Sequence, residues 1–360
     1  MPFFEVILLA DQPTYASLRE QKYNQKLRAL LNELPDFCWD FFQGLETNNR
    51  SALTRYEYAL DLKLFFRYLC EEVPRFSGRT PQSLTLSDMD TVQVRELEQF
   101  IDFIKFYVDE DGRYVENREK SKARKIACLR TFYKFFFRRE KLRTNPASLL
   151  ETPKLHDKAI VRLEANEVAD LLDAVEGGSG LTERQKAYHS ATALRDTAIL
   201  TLFLGTGIRI SELVGLNVND LDFSANAFRI IRKGGNQVIL YFSDEVAEAL
   251  KAYLVERNEI TPLPGHENAL FLSLQKRRIT DRAVQNLVKK YSQSAVPLKK
   301  ISPHKLRSTY GTMLYQETGD IYIVADVLGH KDVNTTKRHY ADQTDVRRRQ
   351  AARIVKLRED

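Results

Sequence analysis

The pattern of the chain changes character between Asn145 and Ile160, and that break decides what the two sides can be. Before it, apolar residues recur at helical spacing. After it, helical stretches alternate with short strand-like runs. Asn145-Pro146 and Thr152-Pro153, with Lys154 and Lys158 beside them, read as a linker between domains. A chain of 360 residues is long enough for two cores.

On the first side, four helical stretches are expected. One runs from about Tyr15 to Leu34 and stops at Pro35, and a second from Leu53 to Val73 stops at Pro74. A third covers Val94–Val108, with Leu97, Ile101 and Ile104 on one stripe. The fourth, Arg118–Lys141, places Ile126, Leu129, Phe132, Tyr133, Phe136 and Phe137 on one face. Lys120, Arg124, Arg130, Lys134 and Arg138 fall on the other. Taken alone, that basic stripe fits a solvated surface and a phosphate-contacting face equally well.

On the second side, Leu163–Val175 reads as a helix, Gly177-Gly178-Ser179-Gly180 as a loop, and Arg195–Leu204 as a buried helix. Ala227–Ile231 and Gln237–Phe242 read as two strands joined through Lys233-Gly234-Gly235-Asn236, a turn rich in residues that tolerate positive φ. A short strand is expected at Leu270–Leu272, with the remainder mainly helical. The fold class is therefore mainly α with a small β-sheet.

Composition excludes several classes. The formal net charge of +6 makes a polyanionic partner plausible without requiring one. The three cysteines, Cys38, Cys70 and Cys128, form no CxxC pair and no disulfide framework, so a reducing compartment, the cytoplasm, is expected. Glu5 interrupts the apolar run Phe3–Leu9, which is not a signal peptide, and no apolar stretch is long enough for a bilayer. No GxxxxGK[ST] loop, complete dinucleotide fingerprint or HExxH occurs, so neither a metal nor another cofactor is expected.

What remains is an ordered set of cations, imidazoles and one phenol. Arg209 follows Gly205-Thr206-Gly207-Ile208, and Glu212 lies three residues on, on the same helix face. Lys233 sits in the hairpin turn. Pro303-His304-Lys305-Leu306-Arg307 opens a helix, where proline is favoured, with His304 and Arg307 on one face. His330 ends Val327-Leu328-Gly329-His330, and Tyr340 follows ten residues later. Singly, each has an ordinary structural explanation. Together and in this order, from Thr206-Gly207-Ile208-Arg209 through His304-Lys305-Leu306-Arg307 and Leu328-Gly329-His330 to Thr335-Thr336 and Tyr340, the set resembles the tyrosine recombinase family. That family includes the Xer proteins and the integrases of phages and transposons. Two departures stand out. Ser308 occupies a position often held by histidine, and His339 occupies the nine-residue spacing from His330 that many Xer-like members give to tyrosine.

The resemblance implies a two-domain architecture: a helical extension over residues 1–50, a helical core-binding DNA domain over 51–145, a linker over 146–160, and a mixed α/β catalytic domain over 161–360. The tail Asp345–Lys356 is similar to the family's helix that docks on a neighbouring protomer. The implied reaction uses Tyr340 as nucleophile and Arg209 and Arg307 as phosphate clamps. Lys233 acts as acid for the leaving oxygen, His304 as partner of Tyr340, and His330 as a donor to phosphate. Glu212 orients a neighbour such as a lysine or histidine. The partner is double-stranded DNA at a specific site, bound by a homo-tetramer, with a monomer in solution an allowed state. A Xer-like role is preferred over mobile-element integration, since the segment before Ser51 lacks a strand-rich arm-binding pattern, although the ten-residue spacing from His330 to Tyr340 points towards the mobile-element integrases. A type IB topoisomerase-like enzyme and a catalytically silent DNA-binding protein of the same fold remain as alternatives.

Overall fold

The computed structural model describes residues 14–154, 161–232, 236–330 and 333. It is mostly helical with two small sheets, and it divides into two compact units, Met1–Asp157 and Lys158–Asp360.

The first unit contains α1 (Tyr15–Leu31), α2 (Phe37–Thr47), α3 (Ala52–Glu72), α4 (Leu86–Thr91), α5 (Val94–Phe103), a hairpin of β1 (Phe106–Val108) and β2 (Tyr114–Glu116), and α6 (Glu119–Phe137). Ser51 starts α3 by accepting the backbone N–H of Thr54, and Thr85 and Asp88 cap α4 reciprocally. The core is aromatic. Phe41 of α2 meets Phe132 of α6 edge to face with ring centres 5.4 Å apart, and Phe132 meets Phe136 at 5.2 Å. Phe137, expected on the same face, is instead exposed.

The third expected helix is cut short. It ends at Phe103, and Phe106-Tyr107-Val108 form β1, antiparallel to β2 with Phe106 opposite Glu116. The side chain of Asn117 donates to the Ile104 carbonyl and its backbone N–H to that of Lys105, so the freed end of α5 is taken by the returning strand. The linker expected from Pro146 begins as part of this unit. Residues Pro146–Leu149 form a 3₁₀ turn, Ala147 and Leu150 lie in the core, and Arg130 donates to the Leu150 carbonyl and, at 2.9 Å, to the Thr152 hydroxyl.

The basic stripe of α6 is not uniform. Lys120, Lys134 and Arg138 are exposed, whereas Arg130 holds the segment just described and Arg124 pairs with Asp61 of α3. Lys125, on the apolar side of α6, is buried and lies 3.2 Å from the same Asp61, itself 5 % exposed. Burial pushes the Asp61 carboxyl above its ordinary range, against the pull of Lys125 and Arg124. Asp61→Asn strands the Lys125 ammonium without its counter-charge, and such a break costs about 3–5 kcal/mol. Trp39, the chain's single tryptophan, lies in α2, so urea unfolding of the full chain followed by its fluorescence reads this unit. A loss below ~1 kcal/mol would show that water already screens the pair.

The second unit contains α7 (Ala165–Gly177), α8 (Glu183–His189), α9 (Ala193–Thr206), α10 (Ile210–Gly215), a three-stranded antiparallel sheet of β3 (Leu221–Asp222), β4 (Ala227–Ile231) and β5 (Gln237–Tyr241), then α11 (Asp244–Glu259), α12 (Asp281–Ala295), α13 (Pro303–Thr318) and α14 (Ile321–Leu328). Helix α9 is central, packed by α7, α11 and α13, and Ala198, Ile199, Leu200, Leu202 and Phe203 have no exposed surface. In the sheet, Ile231 faces Gln237, and the Arg232 N–H donates to the Asn236 carbonyl at 2.8 Å, closing the ladder one pair further. The turn residues Lys233, Gly234 and Gly235 lie outside the described residues, as do Phe3–Leu9, Tyr340 and the tail Asp345–Lys356.

No strand forms at Leu270–Leu272. Its flanks make only isolated bridges, Asn217 with Ala269 and Leu272 with Arg278. Two backbone bonds, from the Leu270 N–H to the Leu216 carbonyl and from the Ile279 N–H to that of Phe271, are supplemented by side chains. Arg257 donates to the Ala269 carbonyl, the Tyr253 hydroxyl to that of Leu270, and Arg195 to that of Leu272.

Candidate active site

The site is organised by the end of one short helix. Helix α14 stops at Gly329, whose φ of 61° is left-handed, and the His330 N–H donates to the Ala325 carbonyl while that of Gly329 donates to Asp326, both at 2.8 Å. These are the paired bonds of a Schellman turn, and they fix where His330 leaves the helix. The carbonyls of a last helical turn lack partners within the helix and carry its negative dipole end. Arginines take them here. Arg307 donates to the Leu328 carbonyl, and Arg209 donates to that of Gly329 at 2.9 Å.

The two guanidiniums come from segments nearly a hundred positions apart. Arg209 is the N-cap of α10, directly after the turn in which Gly207, at φ 61°, closes α9. Glu212 accepts the Arg209 backbone N–H at 2.9 Å, and its other oxygen accepts Nη1 of the same residue at 2.9 Å. One carboxylate therefore both caps α10 and aims the guanidinium. The sequence had suggested a lysine or histidine as the group that Glu212 orients; the structure gives it Arg209. Arg307 stands in the first turns of α13 and also donates to the Gly207 carbonyl, so it joins the α9 end to the α14 end. It is 6 % exposed, whereas the Arg209 side chain is 36 % exposed.

His304 lies one turn before Arg307 on the same helix and is exposed, whereas Arg307 is buried. Pro303 opens that helix. Arg209, Glu212, His304, Arg307 and His330 are thus held on α10, α13 and the turn after α14. Lys233 and Tyr340 lie outside the described residues.

One cation at this turn has no counterpart among the residues singled out from the sequence. Arg232, at the end of β4, donates to the Val327 carbonyl at 2.8 Å. Burial draws its guanidinium somewhat below the ordinary arginine range, with Arg209 adding to the shift and Glu212 and Asp326 opposing it. Its position next to Lys233 was visible, but nothing in the spacing pointed to α14. Among the described residues, no group of three or more His, Cys, Asp or Glu side chains is arranged to hold a metal ion.

The phage integrase family domain matches residues 161–347, which include every residue of the site. The chain belongs to the phage integrase family. Within it, the chain is 34% identical over 296 residues to the tyrosine recombinase XerC of Caldanaerobacter subterraneus subsp. tengcongensis, covering 80% of this chain and 77% of that protein. It is 32% identical over 310 residues to XerC of Chlorobaculum tepidum, covering 83% and 88%. This phage integrase family member is a tyrosine site-specific recombinase of Xer-like type.

Two solved structures share its fold. One is the XerH site-specific recombinase bound to a palindromic difH substrate, with TM-score 0.63 and 18% identity over 95% of this chain and 97% of that one. The other is the Tn1549 transposon integrase in complex with a circular intermediate DNA, with TM-score 0.61 and 20% identity over 88% and 99%. Among the described residues, no helix of the family member is long and apolar enough to cross a membrane.

Proposed function

We propose that this recombinase cleaves one strand of double-stranded DNA by attack of the Tyr340 phenol oxygen on phosphorus. The P–Oη bond forms, the P–O5′ bond breaks, and a 3′-phosphotyrosyl protein with a free 5′-hydroxyl results. A phenol with an ordinary pKa of about 10 is a poor nucleophile near neutrality, and clustered cations favour its ionised form. His304 receives the Tyr340 proton, and Lys233 supplies one to the departing 5′-oxygen. Arg209 and Arg307 hold the non-bridging oxygens as charge builds on them, and His330 donates a further bond. Glu212 aims Arg209. The phosphotyrosyl bond keeps the energy of the bond that was broken, so a 5′-hydroxyl from a second duplex can reverse the step without a nucleotide.

One observation carries this reading: two arginines distant in the chain donate to successive carbonyls, Leu328 and Gly329, immediately before His330. A phosphate-binding role needs cations converging from different elements, and ordinary surface ion pairs do not produce that. The XerH and Tn1549 integrase structures were solved with DNA bound, which supports duplex DNA as the partner. Residues 51–145 form a domain that grips the duplex, with exposed Lys120, Lys134 and Arg138 as phosphate contacts. Arg124 and Arg130 have structural partners and contribute less. The enzyme acts in the cytoplasm as a homo-tetramer on two duplexes, exchanging strands in pairs through a Holliday junction. Its biological task is the resolution of chromosome dimers.

The test is covalent capture. Cells expressing the protein are lysed under denaturing conditions and the attached DNA is sequenced. One recurring chromosomal site supports the proposal. Junctions of a mobile element replace the Xer-like task with integration, and attached DNA of random sequence removes the site-specific reading. No attached DNA, in cells or on nicked duplexes, overturns the phosphotyrosyl step.

A further inference from the structure

Arg232 makes contacts that the assigned chemistry does not account for. It directly follows β4, and its N–H donates to the Asn236 carbonyl, so its backbone is fixed by the sheet. From there its guanidinium crosses to α14, with Nη2 donating to the Val327 carbonyl at 2.8 Å and Nη1 reaching Asp326 at 3.4 Å. Together with Arg307 on Leu328 and Arg209 on Gly329, arginines meet four consecutive carbonyls of one turn. The guanidinium also occupies the space where Gly329 lacks a side chain. A Cβ built there would stand 2.3 Å from Nη1 and 2.4 Å from Cζ of Arg232. Gly329 is thus required twice, for its φ of 61° and for the seat it gives to Arg232.

The fork is spent on backbone carbonyls, and the buried Nε has no protein partner. What the contacts do is tie the sheet to the turn that carries His330 and anchors Arg209 and Arg307. We propose that Arg232 is a positioning residue for strand cleavage, which fixes the α14 turn and through it those three side chains. The proposal rests on the reading of Tyr340 and its partners given above.

The test uses the full chain and a nicked duplex carrying the sequence recovered with the wild type. Arg232→Gln lowers the rate of adduct formation at saturating DNA by roughly 10²-fold, the size expected when supporting contacts let reacting groups drift by about 1 Å. Half-saturating DNA concentration changes by less than about threefold. Arg232→Lys does not restore the rate, because one ammonium cannot reproduce the fork. Gly329→Ala, which pushes a methyl into the guanidinium and strains the left-handed turn as well, lowers the rate at least as much.

Weakened binding with cleavage preserved at saturation, restored by Arg232→Lys, would make Arg232 a phosphate contact and overturn the proposal. The imidazole NMR signals of His330, assigned against His330→Gln, are read in the same samples and shift in Arg232→Gln. Unchanged signals overturn the proposal whatever the activity, and they remain readable in Gly329→Ala should Arg232→Gln fail to fold. A wild type that forms no adduct is the separate failure of the Tyr340 reading.

Discussion

Tyr340→Phe forms no covalent protein–DNA adduct, while its affinity for duplex DNA stays within about threefold of the wild type. The substitution keeps the ring and removes one oxygen, so packing and phosphate contacts persist and only the nucleophile is lost. Removing the nucleophile of a concerted set costs at least roughly 10⁴-fold, which leaves no band on a denaturing gel. The prediction is sharp because the sequence after His330 is unusual. The nine-residue position holds His339, a competent nucleophile towards phosphorus in its own right, and Tyr340 comes one residue later. A phosphohistidyl bond is acid-labile and a phosphotyrosyl bond is not, so brief acid treatment separates the two. Adduct that survives in Tyr340→Phe and disappears in acid would move the nucleophile to His339. Adduct absent from Tyr340→Phe and acid-stable in the wild type establishes the phenol.

The parts of the structure that were legible in the sequence are those in which local pattern and tertiary role agree. Helices α1, α3, α6 and α9 bury one stripe or all faces, and their spacing says so. The β1–β2 hairpin was not legible because Phe106, Tyr107 and Val108 extend the apolar rhythm of α5, yet Phe106 and Val108 are exposed. Leu270–Leu272 has the composition of a strand, but its Leu270 and Leu272 carbonyls are taken by Tyr253 and Arg195, and no period records which side chain reaches which carbonyl. Lys125 was invisible for a related reason. A lysine on an apolar face makes sense only with the knowledge that Asp61 lies opposite.

The site divides the same way. Arg209, Glu212, His304, Arg307 and His330 were legible as an ordered set, and Arg209, His304 and His330 sit at element boundaries that the sequence marks with Gly or Pro. The attachment of Arg209 and Arg307 to one helix end was not legible, because the acceptors are backbone carbonyls, which every residue carries. Arg232 belongs to that hidden part. The catalytic cations are thus held by main-chain groups, and a substitution among them touches both the chemistry and the fold.

That double dependence sets the second expected result. Arg307→Lys keeps the second unit folded and lowers adduct formation at saturating DNA by roughly 10²–10³-fold, the loss typical of one preorganised donor. Arg307→Ala loses as much rate and, in addition, stability. The guanidinium is buried and donates to both the Gly207 and Leu328 carbonyls, and stranding buried acceptors costs about 1–3 kcal/mol each. A lysine can reach one of these carbonyls with its single ammonium, but it cannot bridge α9 to α14 and present a planar pair of N–H groups to a phosphate. Arg209→Ala makes the useful contrast. Its side chain is partly exposed and Glu212 holds it from one side, so rate falls by a similar factor while the melting temperature moves much less. Melting curves and single-turnover cleavage on the same samples check both claims. Equal melting shifts in Arg307→Ala and Arg209→Ala would sink the idea that Arg307 braces the site. Arg307→Lys cleaving within about threefold of wild type would sink the need for a fork, since a point charge would then suffice.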